Sequence, residues 1–260
     1  MKKPVYYVIL ALLIGVFLFA AYKVGSYYLE KYRSDKVISD ATRFVTLPGE
    51  DNSTDNPDSD PGGDPECPTV QFDELKQQNE DVIAWIYGAN THINYPVVQG
   101  SDNDYYLRHL LDCTWNDNGS IFMDCSNKAD FSDQNSLIYG HNMTSGANLV
   151  KYKKQAYYDQ HPYLYMLTPQ QNYKLRLFAG VIVDAAGYIL DSSGQVAYPD
   201  CSVYQFQVTQ EFLQQMVNYS TFRPTTGVPS ADSHIVTLST CTYEFKNVRY
   251  VVLGVLEPIQ

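Results

Sequence analysis

Nineteen consecutive residues without a charged side chain, Pro4 to Tyr22, constrain this chain before anything else does. At about 1.5 Å per residue a helix of that length comes close to spanning a ~30 Å hydrocarbon core. The segment reads as a membrane anchor. Met1-Lys2-Lys3 forms a short basic stub ahead of it, and Lys23, Lys31 and Arg33 follow it. The short stub is the easier part to retain in the cytoplasm, which places the main body on the extracellular face of the cell membrane as a single-pass protein. A cleaved signal peptide is the competing reading. Its apolar region runs about 7 to 15 residues before a small-x-small site, and Ala20-Ala21 is a weak match to such a site.

Charge is segregated along the rest. Residues 1–33 carry five basic side chains and one acidic, residues 34–66 two basic and nine acidic, and residues 67–260 a further net −8. An acidic body without clustered Lys or Arg argues against nucleic acid as a partner, because phosphate neutralisation needs such clusters. Residues 48–68, PGEDNSTDNPDSDPGGDPECP, hold almost nothing that could repay backbone ordering by apolar burial. The sequence therefore divides into residues 1–33, stub and transmembrane anchor; 34–68, an acidic Pro/Gly/Asp linker; and 69–260, the functional domain.

Within that domain Phe72, Leu75, Asn79, Val82, Ile83 and Ile86 approximate a helical stripe, with Asp73-Glu74 in its first turn. Strands are expected at 93–98, 120–123, 136–139, 163–167, 173–183, 234–239 and 248–256, each bounded by turn residues. Two further helices are expected at 147–158 and at 210–219, the second capped by Thr209. A mainly β fold with added helices, a barrel or sandwich, follows from seven or more short strands.

Five cysteines at irregular spacing, Cys67, Cys113, Cys125, Cys201 and Cys241, make no disulfide framework and leave at least one thiol over in a monomer. No CxxC and no HxxxH or HxH pair is present, so no metal site or other cofactor is expected. The sharpest local feature is His234-Ile-Val-Thr-Leu-Ser-Thr-Cys241, an alternating strand that ends in a thiol. Period-two alternation groups Cys241 with Ser239 and Thr237, opposite Thr240, Leu238 and Val236. A thiol at a strand end is held by the sheet and reachable from solvent, as a nucleophile must be. Arg249, the one charge in the apolar run that returns after seven residues, falls near the same end if the two strands pair antiparallel. For a proton partner His141 fits, at the end of the strand Leu137-Ile-Tyr-Gly140. His234 does not, because seven residues at about 3.3 Å put it ~23 Å from the thiol.

Thr237-Leu-Ser-Thr-Cys241, the upstream Tyr139-Gly-His141-Asn-Met143 and Arg249 at a strand start together resemble the signature of sortases, the membrane-anchored cysteine transpeptidases of Gram-positive bacteria. The resemblance covers roughly residues 72–257. It is nearest to class B, through Asn79-Glu-Asp-Val-Ile-Ala-Trp-Ile86, Ile93-Asn-Tyr-Pro-Val-Val-Gln99, Asp102-Asn-Asp-Tyr-Tyr-Leu107 and Gly119-Ser-Ile-Phe-Met-Asp124. It implies an eight-stranded β-barrel with an N-terminal helical extension, matched to residues 72–87, and a helix before the cysteine strand, matched to 210–219. It further implies that Cys241 attacks a peptide carbonyl to give a thioester, that His141 is acid and then base, and that Arg249 stabilises the oxyanion or anchors the peptide. Ser239, Thr240 and Asn142 beside them are the candidate substrate-binding residues, and the 210–219 helix is expected to wall the groove. The implied partners are surface proteins bearing a C-terminal sorting signal and an amine of a cell-wall peptidoglycan precursor or cross-bridge. Three alternatives stand beside this reading. One is a pilin-polymerising sortase, and another is an anchored cysteine endopeptidase, disfavoured because no histidine follows Cys241. The third is a non-enzymatic surface binding module.

Overall fold

The computed structural model describes residues 3–48, 64, 66–140, 149–242 and 247–259, with Lys3, Cys241 and Thr242 described by their backbone alone. A single helix, α1 (Lys3–Thr42), carries the uncharged stretch and continues well past it. After a turn, β1 (Val45–Thr46) pairs antiparallel with β2 (Thr69–Val70). Then come α2 (Phe72–Gln78), β3 (Val82–Tyr87), β4 (Asn94–Val98), β5 (Ile121–Met123) and β6 (Asn135–Gly140). α3 (Gln155–Gln160) leads into β7 (Tyr163–Leu167) and β8 (Tyr173–Val183), followed by the short β9 (Ile189–Leu190) and β10 (Val196–Tyr198). α4 (Gln210–Asn218), β11 (Ile235–Thr242) and β12 (Val248–Pro258) complete the chain.

Eight of these strands close into a barrel in the order β7-β3-β4-β5-β6-β11-β12-β8, with β8 returning to β7 and with β9 and β10 hung on the outer edge of β8. Closure removes the free edges that an open sheet of this length would expose. Two pairings, β4 with β5 and β6 with β11, are parallel, and the others are antiparallel. The barrel interior is filled by side chains such as Ala84, Ile86, Val97, Met123, Ile138, Leu164, Leu175, Val236, Leu238 and Val252. The outer face of β8 and β12 is covered by α4, whose Phe212, Leu213 and Met216 pack with Phe178, Val181, Val251 and Leu253. Thr209 caps α4 as its sequence implies, its hydroxyl accepting from the Phe212 amide at 3.1 Å.

The stripe from Phe72 to Ile86 is not one helix. α2 stops at Asn79, whose backbone is extended and whose amide group donates to the Tyr106 hydroxyl (2.9 Å) and the Leu111 carbonyl (2.8 Å) while its oxygen accepts from the Asp81 amide. Beyond it Val82–Tyr87 is a barrel strand apolar on both faces. Because every residue of this run is apolar, it fits a helical spacing as readily as a strand, and in the structure a bulge falls between Val82 and Ala84. The helix expected at 147–158 is likewise split. Within the described residues a 3₁₀ turn, Leu149–Lys153, is separated from α3 by extended Lys154.

Residues 34–47, which the composition places in the linker, are built into the body. Ser34 and Ala41 are fully buried on one side of α1, Val37, Phe44, Val45 and Leu47 pack into the cluster around Leu75, Trp85, Tyr106 and Tyr165, and Ile38 packs against the barrel-interior cluster that includes Ala84 and Ile86. At the far end of the acidic segment Asp64 pairs with Lys174 at 3.0 Å and Glu66 accepts from the Tyr163 hydroxyl, tying these two residues to β8 and β7. A protein beginning at residue 34 is therefore expected to be more stable than one beginning at residue 66. The difference should reach roughly 3 kcal/mol or more, at about 1.5–3 kcal/mol per fully buried aliphatic side chain. Equal urea midpoints for the two would show that the C-terminal part of α1 contributes nothing to the fold.

Candidate active site

The central element is β11, parallel to β6 on one side and antiparallel to β12 on the other. In this register Thr240 lies beside Gly140, and Cys241 lies directly opposite Arg249. The chain thereby brings the residue before His141, the cysteine and the arginine to one end of three adjacent strands. His141 and Asn142 themselves lie outside the described residues. Arg249 is half-buried, its guanidinium carbon 5.9 Å from the centre of the Tyr204 ring, and on its other side it is in register with Val183 of β8.

At this strand end opens a cleft of about 290 Å³ lined by Asn103, Leu107, Phe122, Tyr139, Gly140, Ala185, Tyr204, Ser239, Thr240 and Arg249. That volume lies near the lower end of the range for ligand pockets. Ser239 and Thr240 are thus placed as lining residues, each with a distinct environment. The Ser239 hydroxyl is buried against the Tyr204 hydroxyl at 2.8 Å. Among the described residues the Thr240 hydroxyl has no hydrogen-bond partner, buried between the cleft and a smaller recess of about 30 Å³ lined by Ile86, Ile93, Ile121, Ile138, Leu149 and Leu238. A buried hydroxyl without a partner costs about 1–3 kcal/mol and is favoured to bond whatever enters.

The opposite wall is fixed by a buried carboxylate. Asp124, 7% exposed, accepts from the Asn103 amide (2.9 Å) and the Tyr139 hydroxyl (3.0 Å), with the Ser126 backbone amide on its second oxygen. Burial first, and the Asp124 charge second, push the Tyr139 phenol well above its ordinary value, so Tyr139 stays a neutral donor. Leu107 reaches the cleft from the 3₁₀ turn Tyr105–Leu107, which packs against Gly119 just before β5. Gly119 has φ +58°, and a Cβ there would lie 2.6 Å from the Leu107 carbonyl oxygen, so only glycine permits this approach.

α4 does not wall the cleft as the sequence suggested, since its apolar face is spent on β8 and β12. The wall on that side comes from the segments around it, through Ala185 and Tyr204. Tyr204 is one of 23 tyrosines in an irregular stretch, and no local pattern distinguishes it. Asn103 belongs to a motif that carried the class resemblance, but its tie to Asp124 is visible only in three dimensions.

The other four cysteines are free thiols. Burial, reinforced by the nearby Asp64 charge, pushes Cys67 up to about 11, and burial raises Cys201. Both are therefore poor nucleophiles at neutral pH. Among the described residues no group of three or more His, Cys, Asp or Glu side chains is placed to hold a metal ion.

No protein-family model matches the chain. It is 30% identical over 248 residues to the sortase B of Listeria monocytogenes, an alignment covering 94% of this chain and 93% of the relative. To the sortase B of Staphylococcus aureus it is 29% identical over 189 residues, 71% of this chain and 73% of the other. Among solved structures, sortase B from Bacillus anthracis matches with a TM-score of 0.66 at 27% identity, over 89% of this chain and 99% of that one. The substrate complex of Staphylococcus aureus sortase B matches with a TM-score of 0.61 at 27% identity, over 73% and 86%. A closed eight-stranded barrel and kinship along nearly the whole length lead to one conclusion: the chain belongs to the class B sortases and is a cysteine transpeptidase of that family.

Proposed function

We propose that this enzyme cleaves a C-terminal sorting signal of surface proteins through a thioester on Cys241 and passes the acyl group to a cell-wall peptide amine. The observation that carries the reading is the register of β11, which sets Cys241 opposite Arg249 and Thr240 beside Gly140 at the mouth of a cleft. The Cys241 thiolate attacks the scissile carbonyl carbon, and the electron pair of the C=O bond moves to oxygen, where Arg249 supplies a fixed cation and several donors. As the tetrahedral adduct collapses the C–N bond breaks, and His141, protonated, gives its proton to the departing amine. The resulting thioester is attacked by the incoming amine, whose proton passes to the now neutral His141, and the Cys241 sulfur leaves as thiolate. No redox partner is needed, and the peptide bond broken is replaced by one formed.

A cleft open to solvent at a strand end suits an extended peptide. Ser239, Thr240 and Asn142 are assigned to substrate contact, Thr240 most directly through a hydroxyl that has no partner among the described residues. A Staphylococcus aureus sortase B has been solved with a substrate, and a sortase B has been solved with a three-glycine ligand. Such a peptide carries a free amine, which supports the two-substrate reading for this chain. We further assign Pro4 to Tyr22 to a membrane span with the catalytic body, residues 69–260 together with the packed 34–47 segment, on the outer face. The helix contains an eighteen-residue window long and apolar enough for this, and none of that window is buried.

Cys241→Ala should abolish cleavage of a sorting-signal peptide with the fold intact, whereas alanine at Cys67, Cys113, Cys125 or Cys201 should leave turnover in place. His141→Ala and Arg249→Ala should each lower kcat/KM on the order of 10²-fold or more. Arg249→Lys should recover little, because a point charge on a flexible stem cannot reproduce a planar fork. Full activity in the lysine variant would contradict the geometric role of Arg249.

Ser239→Ala and Tyr204→Phe remove the same hydrogen bond, worth about 0.5–1.5 kcal/mol net. Each should raise KM modestly, and the double variant should be little worse than either single one. Strictly additive effects on KM would mean that the bond does not position the cleft wall.

A further inference from the structure

Between β4 and β5 the chain makes an excursion that buries Leu110 and Leu111 yet leaves Trp115 62% exposed, beside Tyr105 and Leu107 at 38% and 37%. Leaving the bulkiest apolar side chain in water while two leucines of the same loop are buried requires a reason outside the barrel. The rings are rigidly mounted. His109 stacks on Tyr105 at 3.9 Å and 3°, Trp115 meets His109 edge-on at 5.4 Å, and the two flanks are joined by a β-bridge between His109 and Trp115. Arg108 lies 5.6 Å over the Trp115 ring and is paired with Asp117 at 2.6 Å, so these two loop charges offset each other.

The position of this loop along α1 identifies what it faces. Asn116, next to Trp115 and fully buried, donates from its side chain to the Glu30 carbonyl of α1 at 2.9 Å. Glu30 is seven residues beyond Lys23, the first charge after the uncharged stretch, or ~10 Å at 1.5 Å per residue. The headgroup layer on each side of a bilayer is roughly 5–8 Å thick. The loop is therefore pinned to the helix just outside the headgroup layer, within a side chain's length of it, on a helix whose Tyr22, Tyr27, Tyr28 and Tyr32 are also exposed. Trp and Tyr concentrate within that layer because one part of the ring is apolar and the other can stay wet, so a ring of this loop that turns back along α1 finds its preferred surroundings.

We propose that Trp115, with Tyr105 beside it, docks into the outer headgroup layer of the membrane that anchors α1. The inference rests on the reading of Pro4 to Tyr22 as a membrane span. Docking gives the body a second point of attachment. Leu107, two residues before His109, belongs to both the loop and the cleft wall, so the contact also sets the height and tilt of the cleft relative to the bilayer.

The chain has two tryptophans, and Trp85 is fully buried in the barrel, which makes the test direct. Full-length protein is reconstituted into phosphatidylcholine vesicles, with and without phosphatidylcholine brominated near the top of its acyl chains, alongside the Trp115→Phe variant. Both proteins should float with the vesicles. Bromolipid should remove most of the Trp115 emission, the component present in the wild type and missing from the variant, while the Trp85 emission of the variant persists. Flotation with Trp115 emission unquenched overturns the docking and leaves the anchor standing. Failure to float overturns the anchor reading and the docking with it. Cleavage of a soluble peptide should be equal in the two proteins.

Discussion

The backbone register of β11 is the constraint on which the site depends. A slip of one residue against β12 would set Arg249 opposite Thr240 or Thr242 in place of Cys241 and would turn every side chain of the strand to the other face. Burial forbids it. Val236 and Leu238 fill the barrel while Ile235 packs outside it, and Thr237 is tied by its hydroxyl to the Asn135 side chain of β6 at 2.8 Å, both residues fully buried. Asn135 in turn donates to the Gln205 carbonyl at 2.8 Å, one residue after Tyr204. The hydrogen bonds that lock β11 therefore also hold the segment that walls the cleft.

The second determinant is the buried Asp124. Its charge is offset by donors from Asn103, Tyr139 and the Ser126 amide, and desolvating a carboxylate is tolerable only with such partners. The arrangement fixes two cleft-lining side chains from opposite sides of β5. The barrel thus supplies a rigid floor through β11 and β12 and a hydrogen-bonded wall through the loops before and after β5, with Tyr204 closing the third side against Ser239 and Arg249.

Much of this was legible in the sequence where one local signal had no competitor. Tyr163–Leu167 and Tyr173–Val183 are strands at the bounds the turn residues set, and Thr209 caps α4 where its side chain chemistry puts it. Legibility failed where two patterns overlapped. Val82 to Ile86 fits a helical spacing because the run is apolar throughout, as a strand buried on both faces is. Residues 34–47 were hidden by the acidic tract that follows them, since charges on the exposed side of α1 mask the inward series of buried Ser34 and Ala41 with half-buried Val37 and Ile38. Of the site, Cys241 and Arg249 could be placed together from alternation and a return strand. Tyr204, Asn103 and Asp124 could not, because they act through contacts between segments far apart in the chain.

The central claim is that Cys241 carries the acyl group between donor and acceptor, and intact-protein mass spectrometry tests it most directly. The enzyme is mixed with a sorting-signal peptide in the absence of an amine acceptor, quenched in acid, weighed and digested. The expected result is a mass increase equal to the N-terminal acyl fragment of the peptide without its departing amine portion, mapped to Cys241 and discharged on addition of triglycine. Cleavage of the peptide with no such adduct under any quench time, or an adduct carried by another residue, would contradict it.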